Sequence, residues 1–265
     1  MRDFSYHRPR DLGAAVAALK GASEAKLLAG GMTLIPVLKQ RLAAPTDLID
    51  LAEIPDLAGI RLEGKELVVG AMTCHAVVAA SPEVRRAIAA LAELADGIAD
   101  PAVRNRGTIG GSIANADPAA DYPAAVVGLD ATVVTTGRRI RADDFFTGFF
   151  STALDQGEII TEVRFKLPDR ARYTKLRHPA SGYAVVGVML AQLGRNVRVA
   201  VTGAGPSVFR VPAMEQALAR DFSVDAISGI SVPATDLLED IHFSAEYRAN
   251  AIGVMARRAV AGLVG

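Results

Sequence analysis

Two Gly-Gly pairs constrain this chain more than any other feature of its sequence. The first lies in AGGMT at residues 29–33 and the second in TIGGS at residues 108–112, and a small hydroxyl residue, Thr33 or Ser112, follows each pair. Glycine pairs permit positive φ and let backbone N–H groups approach a ligand with no Cβ in the way, and consecutive N–H groups favour anions. The pattern predicts two loops that hold a diphosphate from two sides.

Other interpretations of the glycine pairs are limited by their surroundings. Neither pair is followed by Gly-Lys-Ser/Thr and neither has GxGxxG spacing, which disfavours a P-loop kinase and a standard nicotinamide domain. A single pair is equally compatible with a tight turn between strands. Arg104 and Arg106, just before the second pair, offset phosphate charge or remain solvated cations.

The segment after the second pair predicts a helix with a carboxylate near its start. Asp117 followed by Pro118 is a helix start signal, with Asp as the cap and Pro in the first position. Asp121 then lies in the first turn, where it compensates the helix dipole or accepts hydrogen bonds from ligand hydroxyls. A first-turn carboxylate on a surface adds only about 0.3–1 kcal/mol to helix stability, so its loss is expected to leave the fold intact.

Composition excludes several classes of protein. The 265 residues are 51% hydrophobic, enough for one large domain or two smaller ones, and the 29 basic residues balance the 29 acidic ones. No net field draws such a chain to nucleic acid or to an anionic membrane. Cys74 is the only cysteine, so this chain forms no internal disulfide and holds no four-thiolate iron–sulfur cluster. His7, His75, His178 and His242 lack metal-ligand spacing, so no metal site is expected.

The longest apolar stretch, at residues 183–193, is about half the length of a membrane-spanning helix and predicts a core element. The polar N-terminal stretch carries no apolar run behind a basic head. These features predict a cytoplasmic protein without a membrane span.

The order of elements predicts a mixed α+β chain. Helices are expected at 10–21, where Asp11 caps the first turn, at 83–95 behind Ser81 and Pro82, at 117–129, at 211–220, and from Ser244 onward. Strands are expected at 25–30, 47–51, 66–71, 131–136, 158–165, 183–193 and 196–205. The polar, basic segment 166–182 predicts a domain boundary near residues 168–175.

The glycine segments carry a family resemblance. LLAGGMTLIPVLKQRL, followed some seventy residues later by VRNRGTIGGSIANADPAADYPAA, resembles the flavoprotein medium subunit of the molybdenum hydroxylases, the family of aerobic carbon monoxide dehydrogenase and xanthine dehydrogenase. The resemblance covers nearly the whole chain. It implies an FAD-binding domain of the vanillyl-alcohol oxidase (PCMH) type over residues 1–168, with subdomains at about 1–55 and 56–168. A small α+β domain of antiparallel sheet plus helices would follow over residues 172–265.

The resemblance also implies a set of site residues. The two glycine loops would hold the FAD diphosphate and ribityl chain, Asp121 would bind cofactor hydroxyls, Ile160 would touch the adenine end, Lys175 would approach the flavin ring, and Tyr183 would lie beside the ring and control access to it. The loop residues are Leu28, Ala29, Gly30, Gly31, Met32, Thr33, Leu34, Thr108, Ile109, Gly110, Gly111 and Ser112. Two positions depart from the family pattern, since Asn is usual at Ser112 and many relatives are polar at Met32. Neither loop contains His or Cys, so a covalent flavin link is not expected.

By the same resemblance, the chain is an oxidoreductase subunit. Its FAD would take electrons from [2Fe-2S] clusters on a small partner, which receives them from a molybdenum cofactor on a large partner, and would reduce NAD⁺, a quinone or oxygen. The assembly would be a dimer of heterotrimers. A stand-alone FAD-dependent oxidase of the same fold is the alternative, and a non-enzymatic anion-binding protein is a third possibility. The substrate is not specified by this sequence.

Overall fold

Strands and short helices alternate along the first two thirds of the chain, and a long antiparallel sheet and a terminal helix follow. The computed structural model describes residues 1–264. The strands are β1 (Ser5–His7), β2 (Ala25–Leu28), β3 (Asp47–Asp50), β4 (Ile60–Glu63), β5 (Glu66–Gly70), β6 (Thr132–Thr135), β7 (Arg139–Arg141), β8 (Phe146–Gly148), β9 (Ser151–Thr152), β10 (Ile160–Lys166), β11 (Arg170–Arg177), β12 (Ala184–Leu193), β13 (Asn196–Thr202) and β14 (Phe209–Arg210). The α-helices are α1 (Leu12–Gly21), α2 (Leu34–Lys39), α3 (His75–Ala80), α4 (Pro82–Ala87), α5 (Ala89–Asp96), α6 (Pro101–Arg104), α7 (Ile109–Asn115), α8 (Tyr122–Gly128), α9 (Ala142–Phe145), α10 (Pro212–Arg220), α11 (Val224–Ser228) and α12 (Ala245–Val264).

Three sheets organise these elements along the chain. The first is parallel, with strand order β1-β3-β2, and the second is antiparallel, with order β4-β5-β10-β6-β7. The third is antiparallel, with order β11-β12-β13-β14, and β8 and β9 form a separate hairpin. The mixture of helices with separate sheets confirms the predicted α+β class.

Strand β12 explains the long apolar stretch near residue 190. Side chains alternate between the two faces of a strand. Val186, Val188 and Leu190 pack with the C-terminal helices, whereas Met189 and Ala191 belong to the core beneath α5 and α8. A strand buried on both faces is apolar at nearly every position, so the prediction of a core element here is confirmed.

The three sheets lie within residues 5–50, 60–166 and 170–210, respectively. Hydrophobic packing crosses both gaps between them, because Ile159 packs in the core of the first sheet and Met189 packs in that of the second. The division into units at 1–168 and 172–265 stays a prediction.

The predicted helix caps are present. The Asp11 carboxylate accepts the Ala14 N–H at 2.8 Å, and the Ser81 hydroxyl accepts the Val84 N–H at 3.3 Å. The helix expected at 83–95 is interrupted, however, at Ile88, whose φ of −147° leaves the helical region. Ile88 is buried in the core at this break, which separates α4 from α5.

The helix predicted at 117–129 begins four residues later than expected, with Asp121 as its N-cap and Tyr122 as its first residue. Three carbonyl groups before it are engaged by the third sheet: Thr202 Oγ1 donates to the Pro118 and Ala120 oxygens at 2.9 and 2.7 Å, and the Ala184 N–H donates to the Ala119 oxygen at 3.3 Å. These carbonyls bond to the third sheet, α8 begins only after them, and the Asp117 carboxylate accepts the Ala119 N–H at 2.9 Å in a turn.

Strand β11 lies within the polar segment at 166–182 and pairs with β12 over eight residue positions. The domain boundary near residues 168–175 stays a prediction. Among the helices of residues 1–264, none is both long enough and apolar enough to cross a bilayer.

Candidate functional site

A cavity of about 700 Å³ runs between the first two sheets and reaches the loop between β11 and β12. Its wall combines apolar carbon, backbone at the glycine segments and a few polar side chains, the composition that small-molecule sites favour. The lining residues of interest are Leu27, Ala29, Gly30, Gly31, Met32, Thr33, Leu34, His75, Ile98, Ala99, Thr108, Gly110, Gly111, Ser112, Asp117, Asp121, Ile160 and Tyr183.

The first glycine loop joins β2 to α2 and presents bare backbone to this cavity. The N–H groups of Gly30, Gly31, Met32 and Thr33 donate to no atom within residues 1–264. Gly31 has φ of +75°, a value that favours glycine. Unpaired N–H groups on a cavity wall are suited to an anionic or oxygen-rich ligand.

Gly30 has a second role that the sequence did not indicate. A Cβ at this position would lie 2.0 Å from the carbonyl oxygen of Arg106 and 2.8 Å from the Cα of Gly107. The first loop therefore touches the backbone of the second, and only glycine permits that approach. The two glycine segments, some eighty residues apart, form one continuous wall.

The second glycine pair is not a second open loop, which corrects the prediction of two similar nests. Gly110 and Gly111 lie in the first turn of α7, where Thr108 is the N-cap. The Gly110 N–H donates to Ala71 O at 2.8 Å, and the Gly111 N–H donates to Thr108 Oγ1 at 3.1 Å. A Cβ on Gly110 would lie 2.7 Å from Ala71 O, so this glycine permits close packing of α7 on the end of β5. It supplies shape to the cavity and no free donors.

The two arginines before this pair do not line the cavity. Arg104 donates through Nη1 to the carbonyl oxygens of Ile98 and Ala99 at 2.9 and 3.0 Å. Ala99 has a φ of +41°, which is a strained conformation for a residue other than glycine. Arg104 therefore stabilises a strained turn, and Ile98 and Ala99 of this turn line the cavity. The suggestion that Arg104 offsets ligand charge is replaced by this bracing role.

Asp121 differs from the surface carboxylate that the sequence predicted. It is 5% exposed, and its two oxygens accept the Tyr173 hydroxyl at 2.5 Å and the Lys175 ammonium at 2.8 Å. Burial raises the pKa of the Asp121 carboxyl, and the Lys175 charge acts in the opposite direction. Because Asp121 lies at the N-terminal end of α8 and its partners lie on β11, this cluster joins α8 to the third sheet.

Most of the predicted site residues meet at the cavity. Three do not line it: Leu28 is only partly buried, Ile109 is fully buried, and Lys175 pairs with Asp121 and has a side chain that is 7% exposed. Tyr183 is 48% exposed at the cavity and is not a core aromatic. The cofactor roles of these residues stay predictions.

Two further buried polar residues, His75 and Tyr122, lie at the cavity and beside it, and the sequence pattern assigns no site role to either. His75 lines the cavity at the start of α3 and is 5% exposed, and Tyr122 is fully buried with its ring centroid 5.3 Å from the imidazole. His75 Nδ1 and the Tyr122 hydroxyl lack a hydrogen-bond partner within residues 1–264. A lone histidine without metal-ligand spacing gives no signal in a sequence, because Gly107 and Tyr122 reach it only through the fold.

The burial of His75 leads to a testable pH dependence. Burial lowers the pKa of His75 from 6.5 to about 4, and the Arg104 charge acts in the same direction. The unfolded chain therefore binds more protons between these pH values, so the free energy of unfolding falls as pH falls from about 6.5 to about 4. Urea unfolding should show that, between pH 7 and pH 5, the free energy of unfolding falls by about 2 kcal/mol more for the unmutated protein than for His75→Phe. Parallel pH profiles for the two proteins would contradict this assignment.

Comparison with known proteins extends over almost the whole chain. A family model described as the FAD binding domain in molybdopterin dehydrogenase matches residues 2–168. The chain is similar to the carbon monoxide dehydrogenase medium chain of Hydrogenophaga pseudoflava, with 38% identity over 274 residues that cover 97% of this chain and 96% of that protein. It is also similar to the nicotine 6-hydroxylase medium subunit of Paenarthrobacter nicotinovorans, with 34% identity over 269 residues that cover 96% and 95%.

The fold agrees with these sequence similarities. The structure superposes on a solved carbon monoxide dehydrogenase from Hydrogenophaga pseudoflava that lacks the Mo-pyranopterin moiety of its molybdenum cofactor. The TM-score is 0.87 at 37% identity, and the match covers 98% of this chain and 96% of the other.

Proposed function

The chain belongs to the family of FAD-binding domains of molybdopterin dehydrogenases, and on that premise we propose that it is the electron-transfer subunit of a molybdenum hydroxylase. The observation that carries the proposal is the single cavity that connects the unpaired N–H groups of Gly30–Thr33 with Asp117 and Tyr183. Such a cavity offers one elongated ligand a polar middle and two contrasting ends.

The cavity suits FAD in size and chemistry. Its volume of about 700 Å³ lies within the range of ligand sites, and apolar side chains, including Leu27, Leu51 and Ile160, line one end. The four free N–H groups of the first loop match the oxygens of a diphosphate. A Cβ at Gly31 would meet the Ile35 side chain at 2.7 Å, so the loop keeps its shape only with glycine there.

The chain's own residues have distinct tasks in this proposal. Gly30–Thr33 bind the diphosphate through backbone N–H groups, and α7 forms the opposite wall. Asp121 borders the cavity and orients Lys175, which places a positive charge behind that wall near the flavin end. Tyr183 covers the mouth of the cavity and controls access to the ring.

Bound FAD supplies a redox centre that exchanges one or two electrons, so this chain needs no catalytic side chain of its own for the transfer. With one cysteine, the chain holds no four-thiolate cluster. The [2Fe-2S] clusters and the molybdenum cofactor are therefore assigned to a small and a large partner chain, in a dimer of heterotrimers. NAD⁺, a quinone or oxygen is the final acceptor.

The substrate of the complex is not set by this chain. The two similar proteins are named for carbon monoxide and for nicotine, although their identities to this chain are close, at 38% and 34%. We infer that substrate choice belongs to the large partner.

Purification of an affinity-tagged chain from its native host tests the subunit role. We expect flavin, molybdenum and iron to elute together and to persist through size-exclusion chromatography, because the proposed partners carry the metals. Omission of the tag is the control. A flavin-loaded chain that elutes alone, without molybdenum or iron, and oxidises a substrate directly would contradict the subunit role and favour the stand-alone oxidase.

A further inference from the structure

His75 lies where the two glycine segments meet. Its backbone N–H donates to Gly107 O at 2.9 Å, and the neighbouring residue Cys74 bridges to Thr108. A Cβ on Gly107 would lie 2.6 Å from His75 Nε2, so the absent side chain leaves room for the imidazole edge. Gly107 in turn contacts Gly30 of the first loop. Gly107 alone therefore separates the imidazole from Gly30, the first residue of the loop that presents the free N–H groups.

The two nitrogens of this imidazole have different surroundings. Nδ1 is sealed from solvent and has no partner within residues 1–264, whereas Nε2 is not among the sealed atoms and lies on the ring edge next to Gly107, in a residue that lines the cavity. The Tyr122 hydroxyl, on the buried side, is the second orphaned atom of this neighbourhood. Two adjacent unpaired polar groups supply the minimum of two partners that a buried water requires.

The protonation state of His75 decides what it offers a ligand. Its pKa, lowered to about 4 by burial, leaves the imidazole neutral near pH 7, with one N–H and one acceptor nitrogen. A donor that reaches Nδ1 from the side of Tyr122 leaves the proton of the neutral ring on Nε2. Nε2–H then faces the cavity as a neutral donor, and the hydrogen bond made by one nitrogen sets the tautomer of the other.

We propose that His75 is a further cofactor-contacting residue, whose Nε2–H donates a hydrogen bond to an oxygen in the diphosphate–ribityl part of FAD. Tyr122 is a positioning residue that fixes the tautomer through one buried water. The inference rests on the proposed function, since it requires that FAD occupies the cavity. His75 would add a side-chain donor to the part of the cavity wall formed by α7, where the backbone N–H groups of Gly110 and Gly111 are already bonded.

Equilibrium titration of the full-length chain with FAD, followed by flavin fluorescence, tests this contact. His75→Phe keeps an aromatic ring against Tyr122 but removes the donor, and it should raise the FAD dissociation constant about tenfold. His75→Gln retains an N–H donor and should recover part of the affinity. Tyr122→Phe should raise the constant about threefold, because it affects only the tautomer. His242→Gln, at an exposed site, is the matched control and should leave the constant unchanged.

A spectroscopic measurement on the unmutated chain keeps the proposal testable if His75→Phe fails to fold. The chain has four histidines, so ¹⁵N-histidine labelling gives a small set of ring signals that His75→Gln assigns. With FAD bound, His75 should be the Nε2–H tautomer. An Nδ1–H tautomer, or a His75→Phe protein that is folded and binds FAD within about twofold of the unmutated chain, would overturn the role of His75 alone. Failure of the unmutated, folded chain to bind FAD would overturn the proposed function as well.

Discussion

Replacing Asp121 with alanine is expected to lower the free energy of unfolding by about 3–5 kcal/mol. The carboxylate is 5% exposed and accepts both the Lys175 ammonium and the Tyr173 hydroxyl. Without it, the Lys175 ammonium, whose side chain is only 7% exposed, loses its counter-charge. Urea unfolding of the purified chain at pH 7 measures the effect.

Two control variants separate the buried pair from ordinary surface charge. Glu53→Ala removes ion pairs with Arg8 and Arg10 at 3.1 and 3.4 Å, and both arginines are well exposed, so it should cost at most about 1 kcal/mol. The double variant Asp121→Asn with Lys175→Met removes both charges and should be more stable than Asp121→Ala. If Asp121→Ala costs less than about 1 kcal/mol, the cluster does not stabilise the contact between α8 and the third sheet.

Replacing Gly30 with alanine is expected to destabilise the chain by about 3 kcal/mol or more and to abolish FAD retention. The new Cβ would lie 2.0 Å from the carbonyl oxygen of Arg106. Backbone cannot rotate away as a flexible side chain does, so the two glycine segments must separate, and the wall that they form together is lost. Thermal unfolding and flavin absorbance after desalting measure the two effects.

Gly21→Ala is the matched control for this substitution. Gly21 ends α1, and a Cβ there would meet no atom within 4 Å. Alanine reduces the freedom of the unfolded chain, so Gly21→Ala should be neutral or slightly stabilising. If Gly30→Ala retains both the stability and the flavin of the Gly21→Ala protein, the contact between the two loops does not form in solution.

Elements with a strong local signal could be predicted from the sequence. Helix α1 has a capping aspartate, and α12 begins within one residue of the expected Ser244. Strand β12 is apolar on both faces, so its existence followed from composition alone. In each case the element is determined by interactions within its own residues or by the apolar character of its side chains, and both can be read from the local sequence.

Elements that depend on distant partners could not be predicted. Strand β11 is polar and basic because it lies at the edge of its sheet, and its pairing with β12 is invisible in its own residues. The Gly110–Gly111 pair resembles a loop, but the Ala71 backbone and the Thr108 cap make it the start of a helix. A Gly-Gly pair in the sequence indicates conformational freedom, but it does not show which part of the structure packs against the two glycines.

The site was predictable in outline, but its internal contacts were not. The family motifs identify the segments that meet at the cavity, and most predicted positions do line it. Asp121 is buried against residues of β11, and Gly30 contacts Arg106. Both contacts join residues that are far apart in sequence, so neither glycine motif taken alone predicts them. His75 was passed over because a single histidine has no periodic or spacing signal.

The most direct test of the central claim is an absorbance spectrum of the purified chain after incubation with FAD and desalting. We predict a retained flavin band between about 300 and 600 nm that acid precipitation releases into the supernatant, because the cavity holds FAD without a covalent bond. A cooperatively folded chain that retains no flavin would contradict the assignment of this cavity to FAD.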